Sequence, residues 1–268
     1  MIYNFINYLR YNRGLSENTC KAYTEALRDF AAFIQDRHHG VTWRTVTKSM
    51  VDEYVVNMVA EEAAPATIKQ HISALRTLYK TILAMGHQVD NPARFVSTPK
   101  LKDALPKTIE AEAVKETLED AAVGAQAKAA IAIIYETGIR LQELLDIRPG
   151  DIDPKTNSIR ICGKGNKERT VYYGELTKAY GRCWRGSQHT QRGVRHIVFE
   201  ALKRHSKAQQ LSPHALRHTY ACQLLNNGMP LEAISKLMGH SHLETTQVYA
   251  KLANKTTQSL YLKFAPQL

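Results

Sequence analysis

Residues 137–144 read TGIRLQEL, and they decide how the second half of the chain folds. The apolar pattern before them predicts a helix over Ala125–Thr137. Gly138 ends this helix, because glycine adopts the left-handed backbone conformation at little cost. A short helix over Leu141–Asp146 follows at once, so Arg140 lies at a break between two helices. Such a break can aim a guanidinium outward from a buried turn, although an ordinary surface arginine has the same local pattern.

Beyond this break the sequence predicts two short strands, Ser158–Cys162 and Glu168–Tyr173. The turn between them, Gly163-Lys164-Gly165-Asn166, suits a hairpin. Further helices are predicted over Ile109–Val123, Glu175–Trp184, Arg192–Lys207, Pro213–Asn227, Leu231–Met238, Leu243–Leu252 and Lys255–Phe264. We therefore expect a mainly α domain with a small antiparallel β-sheet, which is an α+β fold.

The first part of the chain, residues 1–90, is predicted to form a four-helix domain. Its helices are expected at Ile2–Tyr11, Glu17–His38, Lys48–Glu62 and Ala66–Met85. Ser16 is expected to cap the second helix, and Ser49 with Asp52 resembles a capping box on the third. Residues 91–107 contain three prolines and are predicted to form an extended linker. The second domain is then expected over residues 108–268.

The chain is strongly basic, which makes nucleic acid the first partner to consider. It has 268 residues, with 36 Lys and Arg against 25 Asp and Glu, so its net charge is +11. Residues 160–217 hold 13 basic and 3 acidic side chains. That concentration predicts a polyanion-binding surface, although a solvated basic face would have the same composition. The hydrophobic content of 44% excludes a disordered chain.

Membrane and metal-binding classes are disfavoured. No apolar run approaches the roughly 20 residues of a membrane helix, and the first residues lack the features of a signal peptide. We therefore expect a cytoplasmic protein with no membrane partner. The cysteines are too scattered for a zinc site or a redox pair, so no metal is expected. They are Cys20, Cys162, Cys183 and Cys222.

Several other residues carry groups suited to phosphate chemistry. His214 and Arg217 lie three apart at the start of a predicted helix, where unpaired backbone N–H groups favour a phosphate. Lys164 lies between two glycines at the tip of the hairpin. His240 ends the motif LMGH, and Tyr249 lies nine residues further on. Taken singly, these features also fit a solvated helix, a basic turn, a loop histidine and a core tyrosine.

In their order and spacing, however, five motifs resemble the tyrosine site-specific recombinases of the phage integrase family. The motifs are TGIRLQEL (137–144), GKGNKER (163–169), SPHALRH (212–218), LMGH (237–240) and TTQVYA (245–250). Near the N-terminus, LSENTCKAYTEALRDF (15–30) and ATIKQHISALRTLYK (66–80) are similar to the family's helical core-binding domain. The compact, Xer-like members resemble the chain most. The resemblance implies a core-binding domain followed by a catalytic domain.

The resemblance also implies a catalytic set and a covalent mechanism. The set is Arg140, Lys164, His214, Arg217, His240 and Tyr249. In the family the tyrosine forms a 3′-phosphotyrosyl link to DNA, and the 5′-hydroxyl of a partner strand reverses the step through a Holliday junction. Two guanidiniums clamp the non-bridging oxygens while negative charge builds on them. Bond energy is conserved and the cations are side chains, so no ATP, metal or other cofactor is implied.

The remaining members of the set are expected to handle protons. His214 is the candidate base or hydrogen-bond partner of the phenol, and His240 is a candidate donor to the transition state. Lys164 is the candidate acid that protonates the departing 5′ oxygen. Glu143, one helical turn after Arg140, resembles the family's supporting acidic residue and is expected to orient the arginine and histidine side chains.

The implied partner is double-stranded DNA with an inverted-repeat-like core site. Contacts to DNA are expected from Asn18, Thr19, Lys21, Lys69 and Arg76, and beside the active site from Lys167 and Arg169. The amphipathic segment 255–264 is expected to dock on a neighbouring protomer in a tetramer on DNA, with packing onto its own subunit as the alternative. A partner recombinase or an accessory protein would fit the same scheme.

Some questions stay open on the sequence alone. A catalytically silent DNA-binding protein of the same fold and a type IB topoisomerase are alternatives to an active recombinase. The biological role stays open between integration or excision of a mobile element, inversion and dimer resolution. The DNA target is also open, because it depends on side-chain docking and DNA deformability. Residues 170–213 form a shorter stretch than in typical family members, so their architecture is open too.

Overall fold

The structure is a computed structural model that describes residues 1–87, 89–99, 107–163 and 168–239. The chain divides into two compact units, Met1–Lys102 and Asp103–Leu268, and each is described by itself. Two predicted helices, at 243–252 and 255–264, and most of the predicted hairpin turn lie outside the described residues. Within the described ranges, no helix is long and apolar enough to cross a membrane.

The described residues of the first unit form four helices. They are α1 (Ile2–Tyr11), α2 (Glu17–Arg37), α3 (Lys48–Ala60) and α4 (Pro65–Ala84). Ser16 caps α2 as predicted, because its hydroxyl accepts from the backbone N–H of Thr19 at 3.3 Å. The predicted capping box on α3 is wrong. Thr47 is the N-cap and accepts from the Met50 N–H at 3.4 Å, which leaves Ser49 inside the helix.

The core of the first unit lies between α2 and α4. Leu27 and Phe30 on α2 and Ile72, Leu75 and Leu78 on α4 are completely buried. These residues follow the helical spacing that the sequence shows, so each helix turns one apolar face to the other. Helices of this kind gain most of their stability from packing of the apolar face, and less from the helix propensity of their residues.

The second unit is built around one buried helix. Its helices are α5 (Ala111–Glu119), α6 (Ala125–Thr137), α7 (Leu141–Asp146), α8 (Glu175–Tyr180), α9 (Gln191–Leu202), α10 (Pro213–Asn226) and α11 (Leu231–Met238). Six consecutive residues of α6, 129–134, are buried, so this part of the helix is buried on every face, as expected in the middle of a core. It packs against α8, α9 and α10. Both α6 and α7 begin and end at the predicted residues.

A three-stranded antiparallel sheet lies beside these helices. Its strands are β1 (Ile152–Asp153), β2 (Ser158–Cys162) and β3 (Glu168–Tyr172), in the order β1-β2-β3. Ile159 and Ile161 on β2 and Val171 on β3 are buried, so alternate residues face the core. β1 was not predicted, since two residues carry no readable alternation. The predicted fold class, mainly helical with a small antiparallel sheet, is confirmed.

The short stretch 170–213 differs from its prediction. The helix predicted to reach Trp184 ends at Tyr180, and two 3₁₀ turns, Gly181–Cys183 and Gly186–Gln188, follow it. The reason is the buried indole of Trp184, whose Nε1 donates to the carbonyl of Leu144 at 2.9 Å. This contact anchors the stretch to α7, and a continuous helix would carry the indole away from it.

Candidate active site

Arg217 lies at the centre of the candidate site. It comes one turn after the start of α10, where the hydroxyl of Ser212 caps the helix by accepting from the Ala215 N–H at 3.1 Å. The residue is 2% exposed. Its Nη1 donates to the carbonyl of Gly138, and its Nη2 donates to the carbonyl of Met238 at 2.6 Å. Arg217 therefore connects α10 to the α6–α7 break and to the end of α11.

The α6–α7 break requires glycine for two reasons. Gly138 has a φ of +61°, in the left-handed region that a side chain disfavours. In addition, a Cβ at this position would lie 2.2 Å from Cδ1 of Tyr220, which is far inside van der Waals contact. The ring of Tyr220, on α10, thus packs directly on the break. This close approach lets the Gly138 carbonyl reach Arg217.

Arg140 reaches the same place from the other side of the break. Its Nη1 donates to Oε1 of Glu143 at 3.0 Å, and its Nη2 donates to the carbonyl of Gly239 at 2.7 Å. Met238 and Gly239 are neighbours at the end of α11, so the structure brings the guanidiniums of Arg140 and Arg217 to adjacent carbonyls. The side chain of Arg140 is 42% exposed, which leaves part of its guanidinium open to a ligand.

Glu143 is the carboxylate that organises these contacts, and it is almost completely buried. Burial alone would raise its pKa, but hydrogen bonds from Arg169 and Arg140 and the charge of Arg169 more than offset it. The pKa of Glu143 is therefore held below its usual value, and the group is ionised at neutral pH. Glu143 accepts from both the backbone N–H and the guanidinium of Arg140, and its orienting role stays a prediction.

Arg169 has a different place from the one predicted. Its side chain is only 13% exposed, and Nη1 and Nη2 donate to the two oxygens of Glu143 at 2.8 and 2.7 Å. Its Nε donates to the carbonyl of Leu237 at 2.9 Å. The prediction that Arg169 touches DNA phosphates is corrected, because each guanidinium nitrogen already donates to a protein group in a buried position.

His214 lies at the start of α10, next to the two guanidiniums. Its ring meets that of His218 edge to face, with centroids 4.4 Å apart. Loss of surrounding water, and then the charges of Arg217 and Arg140, lower the pKa of His214 below its usual value. The neutral imidazole is therefore the stable form at pH 7, and it can accept a proton or a hydrogen bond.

The pairing of His214 with His218 predicts acid sensitivity. Burial, followed by the charges of His214 and Arg217, lowers the pKa of His218 to about 4. The unfolded chain takes up this proton near pH 6.5. Because the folded state resists protonation, the free energy of unfolding should fall as pH drops from about 6.5 toward 4, by roughly 3 kcal/mol in total.

This sensitivity is measurable by denaturant unfolding at pH 7 and pH 5. Fluorescence of Trp184 in a Trp43→Phe background reports the second unit alone, since the chain has two tryptophans. His218→Gln should flatten the pH dependence, and His196→Gln, at an exposed position on α9, controls for the substitution itself. An unchanged pH dependence in His218→Gln would show that this ring is not the source.

Four of the predicted site residues lie outside the described part of the chain. They are Lys164, Lys167, His240 and Tyr249. Their roles therefore stay predictions. Among the residues that the structure describes, no three His, Cys, Asp or Glu side chains come together as a metal site.

The predicted DNA contacts of the first unit fall into two groups. Asn18 and Lys21 on α2 and Lys69 on α4 are exposed, while Thr19 is half-buried and its hydroxyl hydrogen-bonds that of Ser16. Arg76 differs. Its Nε donates to the Ala93 carbonyl at 2.9 Å and its Nη2 to the Val96 carbonyl at 2.7 Å. The expectation that Arg76 reads DNA bases is corrected, because its guanidinium holds the segment after α4.

Sequence reasoning did not identify Glu136 as a supporting residue. Its carboxylate accepts from the backbone N–H groups of Gly174, Leu176 and Thr177 at 2.9, 3.1 and 2.8 Å. It thus caps α8 from α6 and fixes the end of β3 beside the α6–α7 break. The one available signal was an acidic residue at the end of an otherwise apolar helix.

Known proteins match the chain over nearly its whole length. A sequence profile of the phage integrase family matches residues 107–183 and 176–256, and one of the phage integrase N-terminal SAM-like domain matches residues 2–86. The tyrosine recombinase XerC of Staphylococcus haemolyticus is 31% identical, over 98% of this chain and 96% of that protein. XerC of Bacillus pumilus is 30% identical, over 100% and 96%. The chain belongs to the phage integrase family.

Solved structures agree on the fold. XerH site-specific recombinase bound to palindromic difH substrate has a TM-score of 0.76 at 19% identity, over 97% of this chain and 84% of that one. The Tn1549 transposon integrase in complex with transposon right end DNA has a TM-score of 0.75 at 19% identity, over 99% of both. The resemblance drawn from the five motifs is thus confirmed, and the chain is an enzyme of the tyrosine recombinase class.

Proposed function

We propose that this enzyme cuts and rejoins DNA at specific sites through a 3′-phosphotyrosyl intermediate. The phenol oxygen of Tyr249 attacks the scissile phosphorus, a new P–O bond forms, and the bond to the 5′ oxygen breaks. A 5′-hydroxyl from a partner strand then attacks the phosphotyrosine and releases the tyrosine. One phosphodiester is exchanged for another, so the reaction needs no ATP.

The convergence of two guanidiniums on one point carries this proposal. Arg140 and Arg217 donate to the adjacent carbonyls of Gly239 and Met238. A pentacoordinate phosphorane gathers negative charge on its non-bridging oxygens, and planar guanidiniums match that charge with paired N–H donors. Since these cations are fixed by the fold, they stabilise the transition state with little reorganisation, and no metal is required for that purpose.

Proton transfer is assigned to the other members of the predicted set. A phenol has a pKa near 10, so forming phenolate at pH 7 costs roughly 4 kcal/mol. Neutral His214 accepts a hydrogen bond or the proton from the phenol, and the cationic site lowers the remaining cost. Lys164 supplies a proton to the departing 5′ oxygen, and His240 donates to the transition state.

The DNA substrate is double-stranded, with an inverted-repeat-like core site. Residues 1–90 bind it with exposed side chains such as Asn18, Lys21 and Lys69, joined through a linker at 91–107 to the catalytic domain. Four protomers assemble on two duplexes through segment 255–264 and exchange strands in pairs through a Holliday junction. XerH and the Tn1549 integrase, which are bound to DNA in their solved structures, support the choice of partner. The reaction takes place in the cytoplasm.

The test uses a nicked suicide DNA carrying a site selected by this protein from a random pool. The nick lets the short 5′-hydroxyl strand diffuse away, so a covalent protein–DNA adduct should accumulate in the presence of EDTA. Binding without any adduct would favour the silent DNA-binding alternative. Joint molecules from two duplexes are expected, whereas relaxed circles as the sole product would favour a topoisomerase. Integration, inversion and dimer resolution are then distinguished by the arrangement of the selected sites.

A further inference from the structure

We propose that Arg169 is a positioning residue for the cleavage step, which rests on the proposed function of the site. Arg169 lies on β3, the strand that follows the hairpin turn. Its fork binds both oxygens of Glu143 at 2.8 and 2.7 Å, and Oε1 of Glu143 in turn accepts from Nη1 of Arg140 at 3.0 Å. Arg169 therefore fixes the guanidinium of Arg140 through one shared carboxylate.

The third nitrogen of Arg169 reaches the other side of the site. Its Nε donates at 2.9 Å to the carbonyl of Leu237, next to the Met238 and Gly239 carbonyls that hold the two catalytic arginines. One side chain thus joins β3, α7 and the end of α11. β3 carries the residue itself, its two Nη atoms hold Glu143 on α7, and its Nε holds the end of α11.

The packing around Gly239 shows how tightly this arrangement is built. Gly239 has a φ of +61°, and a Cβ there would lie 2.8 Å from Nη1 and 2.9 Å from Cζ of Arg169. The backbone at Gly239, which follows α11, therefore packs directly against the guanidinium of Arg169. Movement of Arg169 would release both the carboxylate and this backbone.

The contacts of Arg169 require the several N–H donors of a planar guanidinium rather than a positive charge alone. An arginine can pair with both carboxylate oxygens and still donate through Nε, whereas a lysine offers one compact ammonium at a single point. We therefore expect Arg169→Lys to be nearly as defective as Arg169→Gln. Both variants should slow single-turnover cleavage about 10- to 100-fold at saturating protein, as loss of a supporting hydrogen-bond partner commonly does.

Arg160→Gln is the matched control. Arg160 lies on β2 of the same hairpin, but its side chain is 60% exposed and pairs at 3.1 Å with Asp151. The double variant Glu143→Gln/Arg169→Gln removes the buried carboxylate that the single variant leaves with Arg140 as its charged partner, so it guards against misfolding. If the two residues act as one unit, its cleavage rate should match that of Arg169→Gln.

Two readouts test the proposal separately from the proposed function. The first readout, amide hydrogen exchange, does not require the enzyme to cleave DNA. The backbone N–H of Arg140 donates to Oε2 of Glu143 at 2.8 Å. This N–H and segment 231–239 should lose protection in Arg169→Gln but not in Arg160→Gln. The second readout is the cleavage rate on DNA with a neutral methylphosphonate at the scissile position. This group lacks the negative charge of the phosphate, so it depends less on the two guanidiniums. The defect of Arg169→Gln should therefore shrink to within about threefold on that substrate.

Unchanged hydrogen exchange in Arg169→Gln, both at the Arg140 N–H and in segment 231–239, would overturn the proposal. This holds whether or not the wild-type enzyme cleaves DNA. An equal defect on the phosphate and the methylphosphonate would also overturn it, since a general loss of stability would not depend on substrate charge. Full activity of Arg169→Lys would mean that charge alone is needed, against the fork. Failure of the wild-type enzyme to form any adduct would instead count against the proposed function, and the exchange result would still decide the position of Arg169.

Discussion

Replacing Arg217 by lysine should slow single-turnover cleavage at least about a hundredfold, the usual cost of losing a donor to transition-state charge. The guanidinium donates to the carbonyls of Gly138 and Met238, and the proposed function also assigns it to the phosphate clamp. The single ammonium group of a lysine cannot make both protein contacts and also offer two N–H donors to the phosphate oxygens. The measurement is the rate of adduct formation on the suicide DNA at saturating protein.

The control for this prediction is Arg204→Lys. Arg204 follows α9, its side chain is 52% exposed, and it pairs at 3.0 Å with Asp120. Its replacement should change the rate by less than about twofold, since exposed pairs contribute little. Binding of both variants to an intact duplex is measured first. The cleavage rates are then compared at protein concentrations at which each variant is folded and bound to DNA. A cleavage rate for Arg217→Lys within about threefold of wild type would contradict the proposed clamp.

Replacing Gly138 by alanine should lower the free energy of unfolding of the second unit by about 3 kcal/mol. Left-handed backbone costs an alanine about 1 to 2 kcal/mol, and the overlap with the Tyr220 ring adds a comparable cost of overpacking. The added methyl would lie 2.2 Å from Cδ1 of Tyr220, so the ring or the backbone must move. A backbone shift displaces the carbonyl that holds Arg217, and cleavage should then fall as well.

Gly86→Ala separates the two contributions. Gly86 has a φ of +84°, and no atom lies within 4 Å of the place that an added methyl would take, so alanine there carries backbone strain without a clash. Each unit contains one tryptophan, Trp43 in the first and Trp184 in the second, and urea unfolding is followed in the unit that carries the substitution. Equal losses at Gly138 and Gly86 would mean that contact with Tyr220 is unimportant.

Local patterns explain what the sequence predicted correctly. The end of α6 and the start of α7 follow from an apolar run and a glycine that lie close together in the chain, and strand β2 follows from its alternation. The two arginines of the proposed clamp were predicted because they belong to motifs whose order is specific. In each case the deciding contact is close in sequence or is implied by the family resemblance.

Long-range contacts explain what it predicted incorrectly. Arg169 and Arg76 carry the same charge as any DNA-binding arginine, and the carboxylate or carbonyls that occupy them come from elements distant in the chain. The end of α8 depends on Trp184 reaching Leu144, which no helical pattern contains. Residue type therefore indicated where positive charge lies, but it could not show which protein groups from other elements bind each guanidinium.

In the proposed function, Tyr249 becomes covalently joined to DNA. The most direct measurement digests the adduct formed on suicide DNA and identifies the nucleotide-bearing tyrosine by mass spectrometry, among the 13 tyrosines of the chain. We predict a single modified peptide containing Tyr249, and no adduct with Tyr249→Phe. A link to any other tyrosine, or an adduct that survives in Tyr249→Phe, would contradict the account.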